Sequence, residues 1–405
     1  MNSIATIITR LSGGAGALAL HGACGLDPDR YSTTVITGHG DPALLSRAAE
    51  AGLEVVLEPW LRRPIDPVRD PVALSRMTRL LRGRDFDVVH THCAKAGALG
   101  RLAAHRAGVP RIIHTYHGFP FHQFQSAARR QSYVSIERWL GRFTDLALCV
   151  GAPVAAEAIR RRLVTPDRVR SIGVVASGPV TEGAAARDRA RALLGVPAAA
   201  TVVGTVGRLT RQKAPEDFLA ALRALDRPGV VGVWIGGGDL ADRVARSAGG
   251  LPRGKVVLAG ERTDAVDLLP AFDVFALPSW YEGLPTAVVE AMMARVPVVC
   301  TAVNAVPEVV VPGETGLLVP PRRPAALAGA IGYLLDHPRL AAELADNARK
   351  RLGDRFTVPA LTSVLESAYG VRESSAFPRP VREPVGAGSR PAECEVGGRA
   401  WRIQD

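Results

Sequence analysis

A chain of 405 residues is too long for a comfortable single core, so two domains are the default. With 47% hydrophobic and 22% charged residues, its balance is neither that of a disordered chain nor that of a membrane-embedded one. The net charge of +11 resembles a nucleic-acid signal, but only four of the 50 basic residues are lysine and the chain lacks a stacking aromatic patch, which argues against nucleic acid as a partner.

That charge is uneven. Residues 1–180 hold 22 Arg and one Lys against 14 acids, whereas the remainder holds 27 bases against 25. Either the first half faces something acidic or the excess is ordinary surface charge. Five scattered cysteines (Cys24, Cys93, Cys149, Cys300 and Cys394), never in a Cys-x-x-Cys pair, argue against a disulfide framework or zinc site and suit a reducing cytosol.

From the start, "MNSIATIITR" reads as a buried strand rather than a signal peptide. No run approaches the roughly 18 apolar residues of a spanning helix, so the expectation is a soluble or at most peripheral cytoplasmic protein. The runs "YSTTVITG", "LEVVLE", "FDVVHTH", "PRIIHTYHG" and "LALCVG" follow as strands, separated by helical stretches such as "DPVALSRMTRLLRG" and "KAGALGRLAAHRAG". Strand–helix alternation implies a parallel, doubly wound sheet. After "VTEGAAARDRARALLGVPAAA", whose Gly and Pro punctuation suits a linker around residues 177–200, the pattern restarts. "TVVGTVGRL", "VVGVWIGGG", "KVVLAGE", "VFALPSW", "VPVVCTAV" and "GLLVP" read as strands of a second sheet. The expected division is 1–177, 178–372 with a last helix free to cross back, and an aperiodic Pro/Gly/Arg-rich tail at 373–405. Two such domains leave a cleft outside their strand carboxyl ends, where open parallel sheets bind ligands.

Four constellations fall at those ends. "TRLSGGAG" brings Gly13, Gly14 and Gly16 between the first strand and a helix, so backbone N–H groups can approach an anion. "IIHTYHGFPFH" puts His114, His117 and His122 around a strand end, with His117 nearer the cleft mouth. "TVGRLTRQKAP" places Arg208 and Lys213 where two cations can grip a diphosphate. "SWYEGLPTAVVEAMMARVPVV" sets Glu282 in a turn and Glu290 on the following helix, a pattern suited to vicinal hydroxyls.

Taken with "VPGETGLLVP", this ordered set resembles the family 4 glycosyltransferases of the GT-B fold, over roughly residues 3–365. The resemblance implies two Rossmann-like αβα domains and a nucleotide-sugar, most often UDP-linked, in the cleft between them. It implies transfer of the sugar with retained configuration. His117, Glu282, Arg208 and Lys213 form the implied catalytic set. His117 would meet the donor sugar, and the two cations would neutralise the leaving diphosphate. Gly13 and Gly14 would offer backbone N–H groups to that diphosphate. Glu282, with Gly283, Leu284, Pro285 and Thr286 beside it, would hold the sugar. Glu290 would take the ribose diol and the loop at Arg262 the base edge, with His114 a further substrate contact. "LSGGAGALAL" departs from many relatives, which carry an acidic residue after the glycines, and this bears on the acceptor.

No cofactor or metal is expected. The Asp-x-Asp strings at Asp27–Asp29 and Asp85–Asp87 fall in a turn and at the amino end of a strand, and Arg208 and Lys213 already serve the diphosphate. "HTHCAKAGALGRLAAHRAGVPRIIHTYHGFPFH" resembles the branch that builds capsular or exopolysaccharide units. The expected acceptor is lipid-linked, met at an anionic membrane surface on the inner face of the cell membrane. In "FHQFQSAARRQSYVSIERWLGRFTD", Tyr133, Ile136, Leu140 and Phe143 form a stripe at helical spacing that either packs on the sheet or meets that surface. Alternatives are glycosylation of a soluble secondary metabolite, a nucleotide-sugar epimerase, and an NAD-dependent oxidoreductase. The last rests on Gly236-x-Gly238-x-x-Ala241 followed by Glu261.

Overall fold

A computed structural model describes residues 1–176, 182–252 and 254–370. The first half runs β1 (Asn2–Ile8), α1 (Gly13–Gly25), β2 (Tyr31–Thr37), α2 (Pro42–Glu50), β3 (Glu54–Leu57), α3 (Arg69–Gly83) and β4 (Val88–His92). It continues through α4 (Ala94–Ala107), β5 (Arg111–Tyr116), α5 (Ala127–Gly141), β6 (Leu146–Val150), α6 (Ala152–Arg160) and β7 (Val169–Ile172). The second half comprises α7 (Ala184–Leu193), β8 (Thr201–Val206), α8 (Pro215–Leu225), β9 (Val230–Ile235), α9 (Ala241–Ala248) and β10 (Val256–Gly260). Then come β11 (Val274–Leu277), α10 (Thr286–Met293), β12 (Val298–Thr301), α11 (Val306–Val309) and β13 (Leu317–Val319). The helices α12 (Pro324–Asp336), α13 (Pro338–Leu352) and α14 (Val358–Tyr369) complete it.

Both sheets are parallel and wound alike. Their orders are β3-β2-β1-β4-β5-β6-β7 and β10-β9-β8-β11-β12-β13, so the winding reverses beside β1 in one and β8 in the other. Helices cover both faces, which is why β4, β6, β9, β11 and β12 are buried along their whole length, and β6, β9 and β11 read as unbroken apolar runs. Local chemistry sets the starts of individual helices. Asp41 accepts the N–H of Ala43 with Pro42 in the first turn of α2, and Ser126 caps α5 by accepting the N–H of Arg129. Helix α4 rides close to the sheet because Gly97 and Gly100 lack side chains. A Cβ at Gly97 would lie 2.4 Å from the His114 ring, and one at Gly100 2.7 Å from Thr91.

Three features depart from the sequence expectation. The strand β7, "VRSI", pairs with β6 at the sheet edge and has too little apolar content to announce itself. Within the expected linker, residues 184–193 are helical, with Arg187 and Arg191 both reaching Asp273. The stripe on α5 is split: Leu140 is buried, Tyr133 and Phe143 are partly covered, and Ile136 is 47% exposed. The buried face carries Val134, Glu137 and Leu140 instead. Glu137 is tolerated there because Arg101 meets it at 2.7 Å and the Tyr116 hydroxyl donates to it at 3.1 Å. Losing one partner of such a pair costs about 3–5 kcal/mol. Residues 177–181 of the expected linker, and the expected tail at 373–405, lie outside the described residues.

Helix α14 returns to the first half and packs on α1. Gly22 and Gly25 leave room for Leu365 and Thr362, whose atoms would stand 2.6 and 2.3 Å from an added Cβ. At its end the Tyr369 hydroxyl lies 2.6 Å from His90 Nδ1, and Arg111 donates to the carbonyl of Ala368.

Candidate active site

The two sheets bring their winding reversals to one place. After β8, the stretch 207–213 is pinned by Trp234 Nε1, which donates to the Gly207 carbonyl at 2.7 Å. It is packed from the other side by Gly236 and Gly238, where an added Cβ would come within 2.2 Å of the Gly207 carbonyl and 2.5 Å of that of Leu209. Those glycines, which suggested a dinucleotide fingerprint, are therefore accounted for by backbone packing against this loop.

From the pinned stretch, Lys213 reaches Glu282, Nζ to Oε1 2.7 Å. Among the described residues that oxygen has no hydrogen-bond partner, and a carboxylate oxygen has lone pairs to offer a ligand. Gln212 donates to the other carboxylate oxygen at 3.2 Å and to the Tyr281 carbonyl at 3.0 Å. The Glu282 N–H is taken by Asn304 Oδ1 at 2.9 Å, and Asn304 adopts the positive φ of 45° that its residue type tolerates. Glu282 is thus held at three points and is 8% exposed.

Arg208 stays open to the cleft's water. Crowding by protein and the nearby Arg63 lower its proton affinity while Glu282 and Asp239 raise it, and Arg10 adds a further like charge. A guanidinium remains charged throughout any working range. Burial raises the Cys93 thiol, just after β4, to about 11, with Arg208 and Arg63 pulling it back. Both arginines therefore act at the carboxyl end of that strand.

From the first half, His117 comes directly after β5 and is half-buried. Burial lowers it to about 4, so it is neutral at pH 7, and its Nε2 lies 3.0 Å from His92 Nδ1. Its carbonyl abuts Gly283, where an added Cβ would stand only 2.1 Å away. Gly118, at φ 145°, has the Gly283 nitrogen 3.8 Å from its Cβ position. Gly14, in the first turn of α1, similarly faces Thr286 Oγ1, which would lie 3.0 Å from a Cβ there. The amino ends of α1 and α10 consequently confront each other, two concentrations of unpaired N–H groups and positive dipole.

Gly13, Gly14, His117, Arg208, Lys213, Glu282, Gly283 and Thr286 are thus gathered around one cleft. Glu290 sits in the second turn of α10, 8% exposed. Leu284 turns its side chain into the core, leaving its backbone for any ligand, and Pro285 has no N–H to give. Arg262 is clasped by Asp264 through two hydrogen bonds, of 2.7 and 2.5 Å, which occupy two of its donors.

His114 needs correction as a substrate contact. It is 1% exposed, lies over Gly97 of α4 and bonds Thr91 Oγ1 at 2.9 Å. The strand pleat directs it into the layer between sheet and α4, closed off from the cleft.

Arg10, Arg63, His92, Gln212 and Asn304 were missed. Gln212 stood inside the "TRQK" string already singled out. Arg63 lies in an irregular stretch without periodicity, so only the fold brings it to the cleft.

Residues 12–173 match the family described as Glycosyltransferase Family 4, and residues 200–337 match Glycosyl transferases group 1. The UDP-Gal:alpha-D-GlcNAc-diphosphoundecaprenol alpha-1,3-galactosyltransferase of Escherichia coli is 32% identical over 257 residues, 61% of this chain and 65% of that protein. The D-inositol 3-phosphate glycosyltransferase of Saccharomonospora viridis is 31% identical over 321 residues, 72% of each chain. The chain spans just under two thirds of the E. coli relative and 62% of the Streptomyces scabiei D-inositol 3-phosphate glycosyltransferase. Among solved structures, Anabaena Alr3699/HepE in complex with UDP and glucose superposes with a TM-score of 0.78 at 21% identity, covering 91% of this chain and 99% of that one. WaaG, a glycosyltransferase involved in lipopolysaccharide biosynthesis, gives 0.73 at 16%, covering 91% and 100%. At these identities the superpositions speak for the fold.

Proposed function

Because the chain belongs to the family 4 glycosyltransferases and has their GT-B fold, we propose that it moves a sugar from a nucleotide-sugar, most directly a UDP-sugar, to an acceptor hydroxyl. The observation that carries this reading is the meeting of Gly14 with Thr286 and of His117–Gly118 with Glu282–Gly283 across the cleft. A diphosphate between the amino ends of α1 and α10 gains backbone donors and two aligned dipoles. Arg208 and Lys213 then meet the charge that grows as the sugar–phosphate bond breaks. Glu282, oriented by Gln212 and Asn304, can accept sugar hydroxyls, and neutral His117 can donate to or accept from another.

Configuration is retained in this reading. The acceptor oxygen bonds to the anomeric carbon on the face from which the diphosphate leaves, and the hydroxyl proton passes to the departing phosphate oxygen. No metal is required, since the fixed cations take the leaving charge.

The acceptor in this reading is lipid-linked, in assembly of a capsular or other cell-surface glycan, and the enzyme works at the cytoplasmic face of a membrane. Support comes from the E. coli relative, whose name specifies a diphosphoundecaprenol substrate. It comes also from exposed Trp60, Ile65 and Val68 beside Arg62, Arg63 and Arg69, and from exposed Ile136 and Trp139 beside Arg138 and Arg142. Among the described residues no helix is long and apolar enough to cross a membrane.

A thermal-shift series with UDP, GDP, ADP and dTDP tests the donor site. At a hundredfold excess over Kd, a bound nucleotide adds about 2.7 kcal/mol to stability. A melting point unmoved by all four would overturn the reading.

A further inference from the structure

Beside the donor cleft, and sharing a wall with it, a cavity of about 370 Å³ opens between the two halves. His122 and Phe124, with Arg129 from α5, line it on one side; Arg211, Trp280 and Tyr281 line it on the other. Gln212 bonds both the Tyr281 carbonyl and Glu282, tying this wall to the donor site.

The lining is cationic and braced by rings. The Trp280 ring carries Arg211 at 5.3 Å and Arg322 at 5.1 Å, and Arg322 also lies 5.7 Å from the Phe124 ring. Such stacking fixes a guanidinium plane while leaving its N–H edge available. Tyr281 stacks on His122 at 4.3 Å with 14° between the planes. The cavity wall contains no carboxylate, and among the described residues none of Arg129, Arg211 and Arg322 is paired with one. Burial, then Arg129 and Arg211, lower the proton affinity of His122, so both guanidiniums face the same chamber from opposite halves. His122 Nδ1 is buried there without a partner, and the amino end of the 15-residue α5 opens at the same wall.

Arg129 donates to the Tyr133 hydroxyl at 3.5 Å and lies 5.8 Å from its ring, so guanidiniums without a carboxylate partner but held by rings flank a half-open space one residue from Glu282, a setting that suits an anion other than the donor's diphosphate. We propose that this cavity seats the phosphate of a phosphorylated acceptor, with Arg129 and Arg211 closing on it from the two halves. This rests on the donor reading above. It makes acceptor selection a property of the interface between the halves, so only a chain with both halves engaged holds the acceptor. The shared ligand chemistry is a phosphate or diphosphate ester, from a lipid carrier or from a soluble sugar phosphate.

The test uses the whole chain saturated with UDP, so that the donor site is filled, and titrates inorganic pyrophosphate by calorimetry. Pyrophosphate should bind, and Arg129→Ala and Arg211→Ala should each weaken it by on the order of tenfold, with Arg129→Lys recovering part. Parallel titrations with glucose 1-phosphate and with undecaprenyl diphosphate in micelles identify the source by whichever binds tighter. Absence of pyrophosphate binding to the UDP-saturated protein, or unchanged affinity in both alanine variants, overturns the proposal. If UDP itself fails to bind, the donor reading falls and this one falls with it.

Discussion

Lys213 and Glu282 face each other 2.7 Å apart, with 14% and 5% of their side chains exposed. Neither can be removed without stranding the other's charge in a nearly closed space. Lys213→Met should therefore destabilise the protein by about 1–3 kcal/mol, and adding Glu282→Gln should return part of that loss. Chemical denaturation of both single variants and the double variant measures the coupling; strictly additive effects would mean that the pair is not formed in solution.

Among the described residues Arg208 has no comparable partner, and it stands open to the cleft, so its role is expected to appear in turnover. Arg208→Ala should lower kcat by two or more orders of magnitude, about 3 kcal/mol, with a smaller change in donor KM. If Arg208→Ala and Lys213→Ala both turn over near the wild-type rate, the diphosphate is held elsewhere.

Buried histidines make stability depend on pH. Burial lowers His90, 2% exposed, to about 3, against about 6.5 in an unfolded chain. Between those values the unfolded chain binds a proton that the native one refuses. The stabilisation is therefore complete above pH 6.5 and is lost as pH falls toward 3, by about 1.4 kcal/mol per pH unit. His117, lowered to about 4, acts in the same direction, more weakly because it borders the cleft. Denaturant unfolding from pH 7 to pH 5 should show a shallower loss in His90→Asn than in wild type.

The stereochemical reading predicts a retained anomeric linkage in the fresh product by NMR and full turnover in EDTA. Asp87 lies at the amino ends of the strands, opposite the cleft, where its Oδ2 accepts the N–H of Ser3. An inverted product, or activity lost in EDTA and restored by magnesium, would contradict this reading.

At a membrane, the arginine-rich first half should bind anionic vesicles and not neutral ones, by about 1 kcal/mol per basic group at the surface, and release them as salt rises. Flotation assays measure this, with Trp60→Ser and Ile65→Ser expected to weaken binding. No flotation at low salt, together with good turnover on a soluble acceptor, would move the enzyme to small-molecule glycosylation.

How much of this was legible depended on which physical signal each element carried. All six strands of the second sheet lie in apolar runs recognisable by eye, and β9, β11 and β12 among them are buried along their whole length. The edge strand β7 has half its residues exposed and was invisible. Helix α7 hid behind flanking Gly and Pro, and its Arg pair gains meaning only once Asp273 is found beside it. Motif spacing found Glu282 and Lys213 but not that they touch. His114 and His117 looked alike in one string, yet three residues across a strand end separate the core from the cleft. That distinction rests on α4 passing over Gly97, which no local pattern reveals. Nothing local marks Glu137 as buried, because its partner, Arg101, lies 36 residues away.

The return of α14 has a consequence for synthesis. Helix α1 is apolar and belongs to the first half, yet its outer face, with the clefts at Gly22 and Gly25, is covered by Leu365 and Thr362. His90, in the middle of the first sheet, waits for Tyr369. As the chain leaves the ribosome, the half made first stays unfinished until nearly the last described residue has emerged, with an oily flank exposed throughout. A nascent chain arrested after β7 would be a sticky intermediate, and only a chain that has reached Tyr369 covers that flank.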